Sequence, residues 1–227
     1  MFLDGYASLI IEGTWITIKL ASLSTAAAMS IGLVGASAKL SRSPLLRGVA
    51  TVYTTLIRSV PDLVIMLLLY YSLQILLNRI TDWLLADQID IDPFAAGVAT
   101  LSFIYGAYFT ETFRAAFLGV PRGQMEAAAA YGMSPWKSFR RILFPQMMRF
   151  ALPGIGNNLQ VVIKATALVS IIGLSDLLQA TQDAGKASMQ FFYFSLVAAF
   201  VYLAMTTIAN LVLIWLDRHY STGMKRA

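Results

Sequence analysis

Glu126-Ala127-Ala128-Ala129-Ala130-Tyr131-Gly132, followed by Ile142-Leu143-Phe144-Pro145, is a polar, helix-forming stretch between apolar segments long enough to cross a bilayer. Alanine and glutamate are strong helix formers. Pro121 stands just ahead, a favourable place for a helix to begin. Gly132 permits the positive φ of a sharp stop. Ser134 and Pro135 then supply an N-cap and first-turn pair for a second helix. That helix carries Trp136, Lys137, Phe139, Arg140 and Arg141, with Pro145 at its exit. Helix, turn and helix make a rigid elbow. Between membrane segments, such an elbow is held out of the lipid and offered to another protein.

Composition supports a membrane setting. The chain is 58% hydrophobic and 13% charged, with a mean hydropathy of +0.67. A soluble domain carries about 25% charged residues. There is no cysteine, which excludes disulfides and thiolate metal sites, and the single histidine, His219, cannot build a histidine metal cluster. A net charge of +5 would suit nucleic acid, but the basic residues fall in short loops between apolar spans, where membrane topology accounts for them. Met1-Phe2-Leu3-Asp4 lacks the positive region of a secretory signal, so the first apolar segment is expected to be retained. With no internal repeat and only short connections, residues 1–227 read as one all-α integral membrane domain.

Five stretches offer the ~20 residues a helix needs to cross a ~30 Å hydrocarbon core. They run roughly from Ile16 to Ala38, Val60 to Leu77, Phe94 to Val120, Ile155 to Leu178 and Phe191 to Leu216. Residues 1 to 15 read as an interfacial lead-in, with Trp15 at headgroup depth. Lys39, Arg42, Arg47 and Arg58 fall in the first loop. Arg114, Arg122, Lys137, Arg140, Arg141 and Arg149 fall in the third, and Arg218, Lys225 and Arg226 in the tail. Thirteen of the 17 Lys and Arg residues thus share one side. The other side holds Asp4, Asp82, Asp87, Asp90, Asp92, Asp176 and Asp183, with Arg79 and Lys186 as its basic residues. The positive-inside rule then places the C-terminus in the cytoplasm and the N-terminus outside, which five spans satisfy. Ala28, Gly32 and Ala36 form a small-residue stripe in the first span: ordinary close packing, or a sliding surface.

At the elbow the sequence resembles the permease subunits of bacterial ATP-binding-cassette importers. Their cytoplasmic signature is EAA, three residues, G, nine residues, I, one residue, LP. Glu126-Ala127-Ala128, Gly132, Ile142 and Phe144-Pro145 match at that spacing, with Phe144 in place of leucine. The resemblance covers nearly the whole chain. Arg58-Ser59-Val60-Pro61 looks like the family's R-G-T-P segment, and Tyr108 to Arg114 like its Y-x-x-E-x-x-R segment. Pro121-Arg122-Gly123-Gln124, Leu152-Pro153 and Lys164-Ala165-Thr166 also fit its polar amino acid importers. Asp62-Leu63-Val64 and Gly154-Ile155-Gly156-Asn157-Asn158 favour the histidine/lysine/arginine/ornithine group, with the opine (octopine, nopaline) importers close beside it. Met66 stands near where the family usually has a glutamine, a departure that disfavours a generic glutamine or glutamate importer.

The resemblance implies the five-helix type I permease fold in a bacterial inner membrane. It implies a coupling loop over roughly residues 121–149, whose Glu126, Ala127, Ala128, Tyr131, Gly132, Met133 and Ser134 dock a short helix into a groove of an ATPase. It also implies a second, related but distinct permease, two ATPase copies holding ATP and Mg, and a periplasmic solute-binding protein. No G-x-x-x-x-G-K-[ST] phosphate loop is present; Gly154-Ile155-Gly156 lacks the lysine, so this chain is read as having no catalytic site and no cofactor of its own.

Ionisable and amide groups within spans are costly in lipid and mark the candidate solute path. Glu111 pairs with Arg114 at i+3 or with another subunit's basic residue, or else meets a cationic solute. Asp62 complements its helix dipole or recognises a cation. Lys164 pairs with Glu111, forms a gate or binds a solute carboxylate, pairing being the first choice. Asn157, Asn158 and Gln160 follow Pro153 and two glycines; they line the cavity or satisfy an irregular backbone. Two other classes compete. An ion-driven secondary transporter would show inverted repeats, and none is visible. A structural or assembly membrane protein would need neither the elbow nor intramembrane charges.

Overall fold

The computed structural model describes residues 5–84 and 87–220, with side chains through Arg218. Met1-Phe2-Leu3-Asp4, Lys225, Arg226 and the side chain of His219, all used above, lie outside the described set. The described residues fold into helices α1 (Ala7–Leu40), α2 (Pro44–Ser59), α3 (Asp62–Trp83), α4 (Pro93–Gly119), α5 (Arg122–Ala130), α6 (Pro135–Ser138), α7 (Phe144–Ala165), α8 (Leu177–Ser188) and α9 (Phe191–Tyr220). A π-helical turn, Phe139–Leu143, joins α6 to α7, and a 3₁₀ segment, Thr166–Ile172, extends α7.

Among the described residues, four helical stretches are long and apolar enough to cross a membrane: Ala7–Leu40, Asp62–Trp83, Pro135–Ile172 and Phe191–Arg218. The remaining long helix, α4, has 27 residues and occupies the centre. Its Leu101, Ile104, Tyr105, Phe109 and Phe113 are buried against other helices. A helix wrapped by its neighbours does not need an apolar exterior.

The contacts order the long helices by direction. Along α1 and α4, Leu20 lies by Gly97, Ser102 donates to the carbonyl of Ser24 (3.3 Å), Ile31 lies by Gly106 and Lys39 pairs with Glu111, so these two run parallel. Asp62 bonds Tyr105 and Gln74 bonds the backbone of Ile89 and Ile91, so α3 runs antiparallel to α4. Phe150 by Gly119, Asn158 by Thr112 and Val169 by Gly97 make α7 antiparallel to α4 as well. Leu213 by Gly156, together with Met205 by Ile163, turns α9 back along α7.

The small-residue stripe of α1 serves close packing. A Cβ on Gly32 would stand 2.5 Å from that of Phe109, and one on Gly35 would overlap Thr110. Ala28 and Ala36 are fully buried on the same side.

Several expectations need correction. The residues read as a lead-in are not a separate element: α1 is helical from Ala7. The region read as a first loop contains α2, a 16-residue helix. The fourth segment is displaced as well. Helix continues from Pro135 through Ile172, and Gly173, at φ +98°, ends it before the expected Leu178. Within α7 the backbone stays helical through Pro153, Gly154 and Gly156. Those glycines provide room: a Cβ on Gly154 would meet Thr112 at 2.6 Å, and one on Gly156 would meet Leu213 at 3.1 Å.

Candidate functional site: an exposed elbow and a broken helix beside the core

The elbow forms with the expected turn. After α5, Gly132 adopts φ +69°. Its N–H donates to the carbonyl of Ala129 (2.9 Å), and that of Met133 reaches back to Ala128 (3.0 Å). This pair of bonds closes the helix end and requires the left-handed residue that glycine supplies. Glu126, Ala127, Gly132 and Ser134 are exposed and Met133 is half-buried, whereas Ala128 is buried. Tyr131 and Trp136 project outward, 88% and 68% exposed. Beyond the turn the structure departs from a simple second helix. Ser134 and Pro135 begin only the short α6, and the π-helical turn then carries the chain directly into α7. Pro145 therefore sits just past the π-helical turn, where the helical hydrogen-bond pattern is already interrupted. The second arm of the elbow is the base of a long helix, so a push on it is a push on α7.

A second constellation lies at the interruption between α2 and α3. Val60 and Pro61 are extended, so α2 stops at Ser59 and α3 restarts at Asp62; a proline disfavours helical backbone in the residue before it. Asp62 opens α3 and accepts a hydrogen bond from the Tyr105 hydroxyl at 2.7 Å. Arg58 closes α2 with its guanidinium 5.4 Å from the ring centroid of Tyr108. The rings of Tyr105 and Tyr108 are 5.5 Å apart. Tyr105 lies about 18 Å along α4 from its start, near the midpoint. Arg58 was expected among the charges of the first loop; it stands instead beside the middle of the central helix. It, Tyr105 and Tyr108 escaped the sequence reading as site residues, although Arg58 and Asp62 flanking a proline were a usable signal.

Glu111 accepts from Lys39, and from Arg114 Nε at 2.8 Å. The expected i+3 pair with Arg114 is therefore present. The first-choice pairing with Lys164 is not: Lys164 lies exposed on α7 and makes no ion pair among the described residues. Two cations already neutralise Glu111, which ties the end of α1 to α4. Asn158 is buried and donates to Thr112 (3.1 Å), an internal role. Asn157 and Gln160 line an open groove of about 350 Å³ with Asn210 and Asp217 of α9. Pro153, Asn157, Gln160 and Lys164 fall at i, i+4, i+7 and i+11, hence on one helix face. No group of three or more His, Cys, Asp or Glu suited to a metal occurs among the described residues.

The profile of a family described as the inner membrane component of binding-protein-dependent transport systems matches residues 28–225. The chain belongs to this family. It is similar to the histidine/lysine/arginine/ornithine transport system permease protein HisQ of Salmonella typhimurium strain LT2, at 57% identity over 225 residues and 99% of each chain. The nopaline transport system permease protein NocQ of Agrobacterium fabrum is 38% identical over 208 residues, 91% of this chain and 88% of its own. The crystal structure of an amino acid ABC transporter with histidines superposes with a TM-score of 0.78 at 31% identity, covering 94% of this chain and 95% of that one. The chain is thus a multi-pass inner-membrane permease of an ABC importer, a class whose ATPase is a separate polypeptide. Family membership sets aside the ion-driven and purely structural readings.

Proposed function

We propose that this permease imports basic amino acids and holds them at the α2–α3 interruption. The carrying observation is the cluster of Arg58, Asp62, Tyr105 and Tyr108. It combines one carboxylate, one guanidinium and two aromatic rings at the midpoint of the central helix. A basic amino acid presents an α-carboxylate that suits Arg58. Its cationic side chain suits Asp62, which Tyr105 holds in place, and the partly exposed face of Tyr108. The 57% identity to a histidine/lysine/arginine/ornithine permease supports this class. Opine transport is the less supported alternative, resting on the 38% relative.

In this reading the chain crosses the bilayer five times: α1 inward, α2 with α3 outward, α4 inward, α7 outward and α9 inward. The alternating helix directions support that count, and the basic residues clustered around the elbow support a cytoplasmic C-terminus. The elbow residues Glu126 to Ser134 seat on one of two ATPase subunits, which bind ATP and Mg. Exposed Tyr131 and Trp136 supply the aromatic anchors that interfaces favour. A related second permease covers the face of Asn157, Gln160 and Lys164, polar groups that lipid would not accept. A periplasmic solute-binding protein delivers the amino acid. ATPase closure then moves the elbow and with it α7, which rocks the helices and changes the open side of the site. Reconstitution of the assembled transporter tests the reading. Arginine, lysine, histidine or ornithine with their binding protein should stimulate ATP hydrolysis, and Asp62→Asn should abolish that response. Stimulation by glutamine or glutamate alone would refute it.

A further inference from the structure

Helix α2 presents three different faces. Ala50 and Thr54 are buried against the bundle, and Tyr53 beside them donates to the carbonyl of Phe103 (2.5 Å). Leu45, Val49, Val52 and Leu56 form an exposed apolar face bordering open apolar grooves. The third face carries Arg47, Thr51, Thr55 and Arg58, all exposed. Their i+4, i+4, i+3 spacing aligns them along one side of the helix.

The depth of this polar face is what matters. Tyr53 is level with Ile31 on α1, because both sit over Gly106. Ile31 lies nine residues before the end of α1, so about 13 Å from that end toward the middle of the bundle. Along the α2 axis the polar face spans about 16 Å from Arg47 to Arg58, and its far end, Arg58, stands beside Tyr108 at the middle of α4. Arginine and unpaired hydroxyls at that depth face a water-filled path or protein, and not lipid. The apolar face next to it already takes the lipid side. The polar face ends at Arg58, within the cluster proposed above.

We propose that this polar third of α2 lines the inner half of the solute path, with Arg58 and Arg47 as successive stations for the solute's carboxylate and the Thr51 and Thr55 hydroxyls between them. The inference rests on the membrane reading under Proposed function. A positive group at each end holds the α-carboxylate, which every amino acid shares. Selection for a cationic side chain stays with Asp62.

The chain has no native cysteine, so single-cysteine variants report cleanly. Thr51→Cys and Thr55→Cys, compared with Val49→Cys and Val52→Cys, would be assembled with the complete transporter in inside-out vesicles. A charged, membrane-impermeant thiol reagent is then applied to the cytoplasmic side. The threonine-site variants should react about tenfold faster than the valine-site variants, and arginine with nucleotide trapping should slow them. Equal slow reaction at all four positions would overturn the inference and leave the membrane reading intact. Equal fast reaction at all four would overturn the membrane reading itself. Arg47→Gln should lower turnover while leaving arginine binding to the external protein unchanged; unaltered turnover would count against Arg47 as a station.

Discussion

The elbow and the α2–α3 interruption are both breaks in helix, and they are mismatched to their surroundings in opposite senses. At the elbow, large aromatic groups, Tyr131 and Trp136, stand exposed where the chain should meet water. At the interruption, Arg58 and Asp62 stand where the chain should meet hydrocarbon. Exposed apolar surface outside lipid asks for a protein partner. Charge within lipid asks for a polar one. Internal bonds make the same distinction. The elbow's hydrogen bonds close only its own turn, leaving its outer surface uncommitted. At the interruption each charged group already has one aromatic neighbour on α4, which fixes its position and leaves further bonding capacity for a solute. In the proposed function the first break transmits force and the second recognises chemistry.

The sharpest way to separate them is to break each in turn. Replacing Gly132 by proline forces φ to about −65° where the chain needs a positive value. No neighbouring atom lies within 4 Å of a side chain placed there, so packing of the bundle is untouched. Transport should fall about a thousandfold or more, about 4 kcal/mol of lost coupling, while the thermal midpoint of the isolated permease stays close to that of the parent. Co-purification with the ATPase and uptake in vesicles measure the two sides. Retained coupling would remove the elbow from the mechanism.

Asp62→Asn preserves a hydrogen-bond acceptor for Tyr105 and deletes the charge. Arginine and lysine uptake should drop about 100-fold, within the range expected when a desolvated charge loses its partner. ATPase assembly should be unaffected, so the two breaks fail separately. A smaller effect is expected at the ion triad. Glu111→Gln leaves Lys39, 11% exposed, without its anion. After discounting for partial exposure, about 2 kcal/mol of stability should be lost, with Lys39→Met in the same chain restoring part of it. Denaturation of the purified subunit in detergent is the measurement.

The smallest effect concerns Asp176, buried at the start of α8 against Gly13 of α1. Its carboxylate caps α8 by accepting from the Gln179 N–H at 3.0 Å, while Oδ2 has no partner among the described residues. Burial pushes its pKa up to about 6 from 3.8. A carboxyl whose folded pKa exceeds its unfolded one binds protons more tightly when folded, so its contribution is largest at low pH and is lost as pH rises through about 6. The protein should be about 1–2 kcal/mol more stable at pH 5 than at pH 8 from this group. Asp176→Asn should flatten that slope without altering uptake, in contrast to both breaks.

How far the sequence carried differs between the two regions for a physical reason. The elbow is local: alanine propensity, one glycine and the charges around it sit within a short run, so its position and turn were legible. The interruption is not local. Arg58 and Asp62 acquire meaning only from Tyr105 and Tyr108, more than 40 positions away, and α2 is too short and too polar on one side to register as a span. Charge counting placed Arg58 in a loop because it reads composition and not depth. The partner of Glu111 was half legible. An i+3 neighbour follows from helical period, whereas the choice of Lys39 over Lys164 depends on which helix packs beside α4. Pro153 and its glycines suggested an irregular backbone because single residues do not reveal the close approach of Thr112 and Leu213.

The most direct test is a structure of the assembled transporter with arginine bound. The guanidinium or ammonium of the ligand should lie within hydrogen-bond distance of the Asp62 carboxylate, beside the ring of Tyr108. A ligand bound elsewhere in the membrane domain, with Arg58 and Asp62 turned toward lipid or sealed against the partner permease, would contradict it.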